Sequence, residues 1–374
     1  MICCLHGLRL GRKLAFLFRP FAMHAPIPTD DVRIEATLPL ITPDSLIEKW
    51  MPTPADVQFV AETRAASEAV LALKDRRLLV VVGPCSIHDE AAALEYADLQ
   101  RAEAKRHEKE LVILMRVYFE KPRTTVGWKG YINDPGLDES HDINRGLDLA
   151  RQLLLELTKR RVGAATEFLD TISPQFIADL VCWGAIGART VESQVHRQLA
   201  SGLSMPVGFK NGTKGNIDIA IDAIQAARHS HQFLSVTKQG DCAIVKTKGN
   251  DTCHVILRGG SDGPNFSAEH LAQVAAALVK AKLPASIMVD CSHGNSNKDH
   301  RNQPLVAAAL AEQIAAGNRA ITGVMIESNL VAGKQNAMPG QALCYGQSIT
   351  DACIGWPETV ETLEVLARAV QARG

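Results

Sequence analysis

Beyond Pro54 the chain alternates between short apolar runs and longer stretches whose apolar positions recur at helical spacing. The runs are 77–86 (RLLVVVGPCS), 110–119 (ELVILMRVYF), 163–170 (GAATEFLD), 183–189 (WGAIGAR), 205–212 (MPVGFKNG), 253–260 (CHVILRGG), 286–293 (SIMVDCSH) and 321–328 (ITGVMIES). Each is apolar without alternation, the pattern of a strand buried on both faces in a parallel sheet. Between many of them lie helical stretches such as DEAAALEYADLQRAEAKRHE, NRGLDLARQLLLELTKR and SAEHLAQVAAALVKA. Eight such units predict an α/β protein built as a closed (β/α)8 TIM barrel rather than an open doubly wound sheet. The segment 233–250 (FLSVTKQGDCAIVKTKGN) breaks the rhythm and predicts an inserted β-hairpin turning at Lys-Gln-Gly-Asp, the insertion running to about 257. Residues 30–75 form an N-terminal arm with a helix, and 76–374 the barrel.

The composition fits this plan. The 374 residues are 46% hydrophobic, enough for a large core, and the net charge of −1 argues against a nucleic-acid partner while leaving room for a local basic pocket. No apolar run approaches the ~20 residues of a membrane span. The nine cysteines are scattered without repeated spacing, so reduced thiols and a cytoplasmic setting are expected. Residues 1–29 stand apart, with four Arg/Lys, no acid and an apolar LAFLF. They read as a disordered tail, or as the product of a start codon upstream of Met23, in preference to a transit-like peptide.

Chemistry gathers where the strands end, the face of such barrels that carries active sites. Cys85, His293, Glu327 and Asp351 supply one thiol, one imidazole and two carboxylates. Their wide spacing is no obstacle, because closure brings the first, seventh and eighth strands together. Sulfur, nitrogen and oxygen donors suit manganese, iron, cobalt or zinc. No CxxC or HExxH clip is present, so the signal lies in the joint convergence of these residues. A second set is cationic: Arg116, Lys121, Arg123, Arg189, Lys210 and Arg258. A single Arg is more often half of a surface ion pair. Six at successive strand ends call for phosphate or carboxylate ligands, which Arg grips through two hydrogen bonds. Asp290, before His293, suits either packing or support of a ligand residue.

Seven motifs, VGPCSIHD, MRVYFEKPRTTVGWKGYINDP, WGAIGARTVESQVHRQLASGLSMPVGFKNGT, HVILRGG, VDCSHGNSNKD, GVMIESNL and YGQSITDACIGW, closely resemble the class I 3-deoxy-D-arabino-heptulosonate 7-phosphate (DAHP) synthases. The resemblance runs from about Asp30 to the C-terminus. It implies condensation of phosphoenolpyruvate with erythrose 4-phosphate, releasing phosphate, at the head of the shikimate pathway. It implies Cys85, His293, Glu327 and Asp351 as metal ligands, with manganese favoured. Arg116, Glu167, Ala188, Arg189, Lys210 and Arg258 would surround phosphoenolpyruvate, with Lys121 near both substrates. Pro122, Arg123 and Thr124 would join Lys121 in holding erythrose 4-phosphate, with Arg123 on its phosphate.

The same resemblance implies feedback inhibition by an aromatic amino acid and a homo-oligomer, dimer or tetramer. The effector site would combine Asp30 and Asp31 of the arm with Pro174, Gln175, Leu203, Ser204, Phe233 and Ser235. Ser235 resembles the phenylalanine-sensitive members, whereas VDCSHGNSNKD looks more like the tyrosine-sensitive ones. Three rival readings stand beside this one: a Schiff-base aldolase using Lys210, a synthase using arabinose 5-phosphate, and a barrel that kept only a regulatory role.

Overall fold

The eight apolar runs close into one barrel in a computed structural model, which describes residues 29–123, 125–337 and 342–373. Its strands are β1 (Leu78–Gly83), β2 (Leu111–Arg116), β3 (Gly163–Glu167), β4 (Val181–Ile186), β5 (Val207–Lys210), β6 (His254–Leu257), β7 (Ile287–Asp290) and β8 (Ile321–Glu327). They pair in sequence order and β1 closes on β8, every pair parallel, with Val80 opposite Ile113 on one side and Val324 on the other. All eight are buried along their whole length. That burial on both faces explains why the runs lack polar alternation.

Successive residues of one strand serve different cores. Leu79 and Val81 of β1 belong to the cluster that fills the barrel with Trp183, Ile256, Met288 and Met325. Leu78, Val80 and Val82 belong instead to the outer layer with helical residues such as Leu153, Leu154 and Leu310. The helix Pro54–Leu71 adds Val60, Val70 and Leu71 to the interior cluster. Thr53 and Asp56 begin it with a reciprocal capping box.

The hairpin pairs Gln232–Val236 with Cys242–Lys246, Leu234 opposite Ile244, across a turn in which Gly240 takes φ +90°. It ends before His254, which already begins β6. It is therefore shorter than the span to residue 257 expected from sequence. A small parallel pair, Val331–Lys334 with Gln347–Ser348, lies beyond β8 and was not foreseen. It turns the chain back so that Ile354 N donates to Glu327 O at 3.0 Å, and this return delivers Asp351 to the end of β8.

Residues before Leu40 form a separate unit. Within it Asp30 and Asp31 are exposed, and Ile34 N donates to Asp31 O at 3.0 Å. The expectations for residues 1–28, including initiation at Met23, lie outside the described residues, as does Thr124. Among the described residues no helix is long and apolar enough to cross a membrane, and all seven cysteines are unpaired.

Candidate active site

Strand geometry places the candidate side chains at one end of the barrel. Arg116, Glu167, Lys210 and Glu327 are the last residues of β2, β3, β5 and β8. Cys85, Arg189, Arg258 and His293 follow β1, β4, β6 and β7 within a few residues. Lys121, Pro122, Arg123, Glu167, Ala188, Arg189, Lys210, Arg258, His293 and Asp351 all line one cavity of about 140 Å³. It shares Arg189, Thr213, Arg258, His293 and Asp351 with an adjoining cavity of about 490 Å³.

Three of the four expected metal ligands converge. The ligand atoms of Cys85, Glu327 and Asp351 lie within 4.8 Å of one another, a group able to hold a metal ion. Cys85 Sγ stands 3.9 Å from Asp351 Oδ2, and Lys121 Nζ stands 3.2 Å from the sulfur. Burial and the charge of Glu327 push the Cys85 thiol up. Sulfur and carboxylate oxygen are donors that a divalent transition ion takes together, so this donor set fits such an ion. His293 lies outside that tight group, on the wall of the same cavity. Its Nδ1 sits 3.0 Å from Asp290 Oδ2 and 2.7 Å from Ser292 Oγ, which leaves Nε2 free to bind.

Beside Lys121, which stands against the Cys85 sulfur, the other five cations are of two kinds. Arg116 is buried, pairs with Glu327 at 3.1 Å, and lays its guanidinium 3.9 Å from the centre of the Tyr118 ring. Lys210 is buried and pairs with Asp290 at 3.0 Å. These two carry protein counter-charges, contrary to the expectation that all six wait for ligand anions. Arg123, Arg189 and Arg258 differ. Arg123 Nε donates to Trp128 O at 2.7 Å and Arg189 Nη1 to Pro122 O at 2.8 Å, so each meets a neutral carbonyl instead of a carboxylate. Burial lowers the Arg258 pKa, and no ion pair reaches it among the described residues.

Asp290 turns out to be the pivot of the site. It is fully buried and accepts from Lys210 Nζ, from Ser292 N at 3.0 Å and from Ser292 Oγ at 2.6 Å. Burial acts against its charge, yet Lys210 and His293 hold its carboxyl well below the usual range. Sequence reasoning left its role open and missed Tyr118 and Gln303 altogether. Gln303 clamps Glu327 at both backbone groups, donating to its O at 2.9 Å and accepting from its N at 2.8 Å. Tyr118 and Gln303 gave no signal in the sequence, because Tyr118 reaches Met325 only once β1 stands between β2 and β8, and Gln303 reaches Glu327 only once the helix Gln303–Ala315 packs beside β8.

Beside the mouth, Glu120 accepts from Ser173 Oγ at 2.9 Å and from Asp170 N at 3.1 Å. Burial outweighs these bonds and raises its carboxyl from 4.5 to about 7. A carboxyl that ionises first in the unfolded chain makes stability fall as pH rises through the 4.5 to 7 window. At about 1.4 kcal/mol per unit, that fall is of order 3 kcal/mol. Glu120→Gln should flatten it, so the variant gains on the wild type at pH 8 and not at pH 4. Denaturant unfolding at the two pH values checks this, and parallel curves for both proteins would refute it.

A second cleft lies away from the mouth. It holds about 460 Å³ and brings together Pro174, Gln175, Leu203, Ser204, Phe233 and Ser235. Arg64, Asp179 and Lys238 add charge to its walls, and Lys238 Nζ donates to Gln175 O.

The family model described as DAHP synthetase I matches residues 58–364. The chain belongs to the DAHP synthetase I family. It is 57% identical over 344 residues to the phospho-2-dehydro-3-deoxyheptonate aldolase, Phe-sensitive, of Escherichia coli (strain K12), covering 92% of this chain and 98% of that one. It is 54% identical over 345 residues to the Trp-sensitive phospho-2-dehydro-3-deoxyheptonate aldolase of Enterobacter agglomerans, covering 92% and 99%. The solved structure of the phospho-2-dehydro-3-deoxyheptonate aldolase from Francisella tularensis SCHU S4 superimposes with a TM-score of 0.89 at 54% identity, over 91% of this chain and 99% of that one. The barrel and its mouth are thus those of a DAHP synthetase I family member along nearly their whole length.

Proposed function

We propose that the barrel mouth condenses phosphoenolpyruvate with erythrose 4-phosphate and water to give DAHP and inorganic phosphate. The observation that carries this reading is a Cys–Glu–Asp donor cluster beside a cavity system lined by three cations that lack acidic partners among the described residues. Cys85, His293, Glu327 and Asp351 hold a divalent ion, manganese by preference. Bound there, such an ion would supply Lewis acidity for the aldehyde of erythrose 4-phosphate.

The protein side chains do the rest by position and fixed charge. Arg116, Arg189, Lys210 and Arg258 hold phosphoenolpyruvate, with Glu167 and Ala188 on its border. Lys121, Pro122, Arg123 and Thr124 hold erythrose 4-phosphate, with Arg123 on its phosphate. The enol carbon attacks the aldehyde carbon. Water then adds at C2, the C2–O bond breaks, and phosphate leaves with the electron pair. Lys121, whose Nζ is 3.1 Å from Cys85 O and 3.2 Å from its sulfur, is the ammonium placed to protonate the new alkoxide. Lys210 is held as the partner of Asp290, which speaks against a Schiff-base role that needs a free amine.

Arg123→Ala tests the substrate assignment. One charge-assisted bond is worth about 1.5–3 kcal/mol, so the KM for erythrose 4-phosphate should rise roughly ten- to a hundredfold. The KM for phosphoenolpyruvate should barely move. Equal changes in both would show the phosphate to sit elsewhere.

The second cleft is the site of an aromatic amino acid effector, phenylalanine ahead of tyrosine. Phe233, Leu203 and Pro174 offer the ring an apolar slot, and Ser204 and Ser235 offer donors to a carboxylate. The charge for the ammonium is the part that the family resemblance assigns to Asp30 and Asp31. A short connection joins cleft and mouth: Ser173, next to Pro174, bonds Glu120, next to Lys121. Removing residues 1–35 should abolish inhibition by phenylalanine and keep turnover, read from inhibition curves on the two proteins. Undiminished inhibition of the shortened chain would remove the arm from the site. The exposed Leu234 and Ile244 of the hairpin give a homo-oligomer, dimer or tetramer, an apolar surface to share.

A further inference from the structure

The two cavities at the mouth form lobes on either side of Arg189 and Arg258. The inner lobe faces the ends of β2 to β5 and carries the groups assigned above to the substrates. The outer lobe is the larger, about 490 Å³ against 140 Å³, and opens over the loops after β6, β7 and β8. Lys298, His300 and Lys334 line it, and no role above uses them.

The backbone is bent on purpose around this lobe. His293, Asn297 and Lys298 have φ of 57°, 54° and 61°, the left-handed region that side chains other than glycine seldom enter. Each such residue costs on the order of 1 kcal/mol and persists only where its surroundings fix it. Here they do. Asn295 donates to Leu257 O at 3.1 Å and Asp290 O at 2.9 Å, and accepts from Asn265 N at 2.8 Å. Asn302 donates to Ser296 O at 3.0 Å.

The wall beside Lys298 is equally determined. Gly259 has φ +69°, and a Cβ there would stand 2.6 Å from Gly294 C. A Cβ on Gly260 would stand 2.4 Å from Gly215 N. The loops after β5, β6 and β7 therefore meet backbone to backbone, which only glycine allows. The charge is also unmatched: among the described residues neither Lys298 nor Lys334 has a carboxylate at ion-pair distance. Asp351, the acid that feels Lys334, lies beyond that reach.

We propose that the outer lobe is a subsite for the inorganic phosphate that the reaction releases, with Lys298 and Lys334 taking it over from Arg189 and Arg258. The inference rests on the reaction proposed above. There the C2–O bond breaks with its electron pair on phosphate, so a multiply charged anion is left between two guanidiniums that bind it tightly. A way out needs weaker cations on the solvent side. Lysine suits that step, because its ammonium is a mobile point charge that forms no bidentate fork. The phosphate can then leave through the outer lobe while the seven-carbon product still occupies the inner one.

The test compares the metal-loaded wild type with a Lys298→Gln/Lys334→Gln double variant. Inorganic phosphate is used as an inhibitor against phosphoenolpyruvate at constant ionic strength. Two exposed charge contacts predict a roughly three- to tenfold rise in the phosphate inhibition constant. The KM for erythrose 4-phosphate should stay within about twofold of the wild type. Lys334→Arg, which keeps the charge, should retain most of the inhibition. An unchanged inhibition constant overturns the proposal. So does a KM for erythrose 4-phosphate that climbs in step with it, since the lobe would then seat that substrate's phosphate. Calorimetric titration of phosphate into both metal-loaded proteins reads the lobe without turnover. A wild type that binds phosphate through these lysines yet makes no DAHP would refute the reaction and leave an anion subsite. Equal phosphate affinities in an active enzyme would refute the subsite alone.

Discussion

Cys85→Ala and His293→Ala are each expected to lose nearly all turnover and to bind a divalent ion far more weakly than the wild type. A contact that merely orients a metal ligand is worth about 10–100-fold in affinity, and removing a ligand itself should exceed that. The two substitutions reach the centre by different routes. Cys85 is fully buried within 4.8 Å of the Glu327 and Asp351 oxygens, so its loss leaves two carboxylates facing each other across a gap. His293 stands on the cavity wall with its imidazole steered by Asp290. Metal content after dialysis against a chelator, measured beside activity, separates a lost ligand from a lost fold. Full activity in either variant, or in demetallated wild type, would end the metal assignment.

Asp290→Asn should have the second largest effect, although Asp290 is assigned to neither proposed substrate. The substitution keeps shape and removes charge. Lys210, buried and 3.0 Å away, would lose the one ion-pair partner it has among the described residues, and breaking one side of a buried pair costs about 3–5 kcal/mol. His293 Nδ1 would lose its carboxylate partner as well. The variant should therefore unfold at clearly lower denaturant concentration and bind metal less tightly. Asp290→Glu, which restores the charge one methylene further out, should recover part of the metal affinity. A variant as stable as the wild type, with unchanged metal affinity, would show that Asp290 only fills space.

What could be foreseen divides along physical lines. The strands were legible because burial on both faces imposes uninterrupted apolar runs, and their number and order then made barrel closure the natural solution. Arg116, Lys210 and Glu327 were legible as strand ends. Their mutual pairing was not, because whether a cation meets an acid or a ligand depends on which strands become neighbours. Arg116 finds Glu327 only because β1 is flanked by β2 and β8. Asp290 stayed ambiguous for the same reason: Lys210 lies 80 positions away and two strands around the barrel. The pair Val331–Lys334 and Gln347–Ser348 was invisible because strands this short carry no periodicity to read. The cleft that gathers Phe233, Ser235, Pro174 and Leu203 owed its anticipation to family resemblance rather than to pattern.

The central claim is that the mouth joins phosphoenolpyruvate to erythrose 4-phosphate with cleavage of the carbon–oxygen bond. The direct measurement uses phosphoenolpyruvate labelled with heavy oxygen at its bridging position. It is incubated with erythrose 4-phosphate and manganese-loaded enzyme, and products are followed by phosphorus NMR and mass spectrometry. The account predicts equal amounts of DAHP and inorganic phosphate, with the label in the phosphate. Label retained in the seven-carbon product would contradict it, as would phosphate release without condensation.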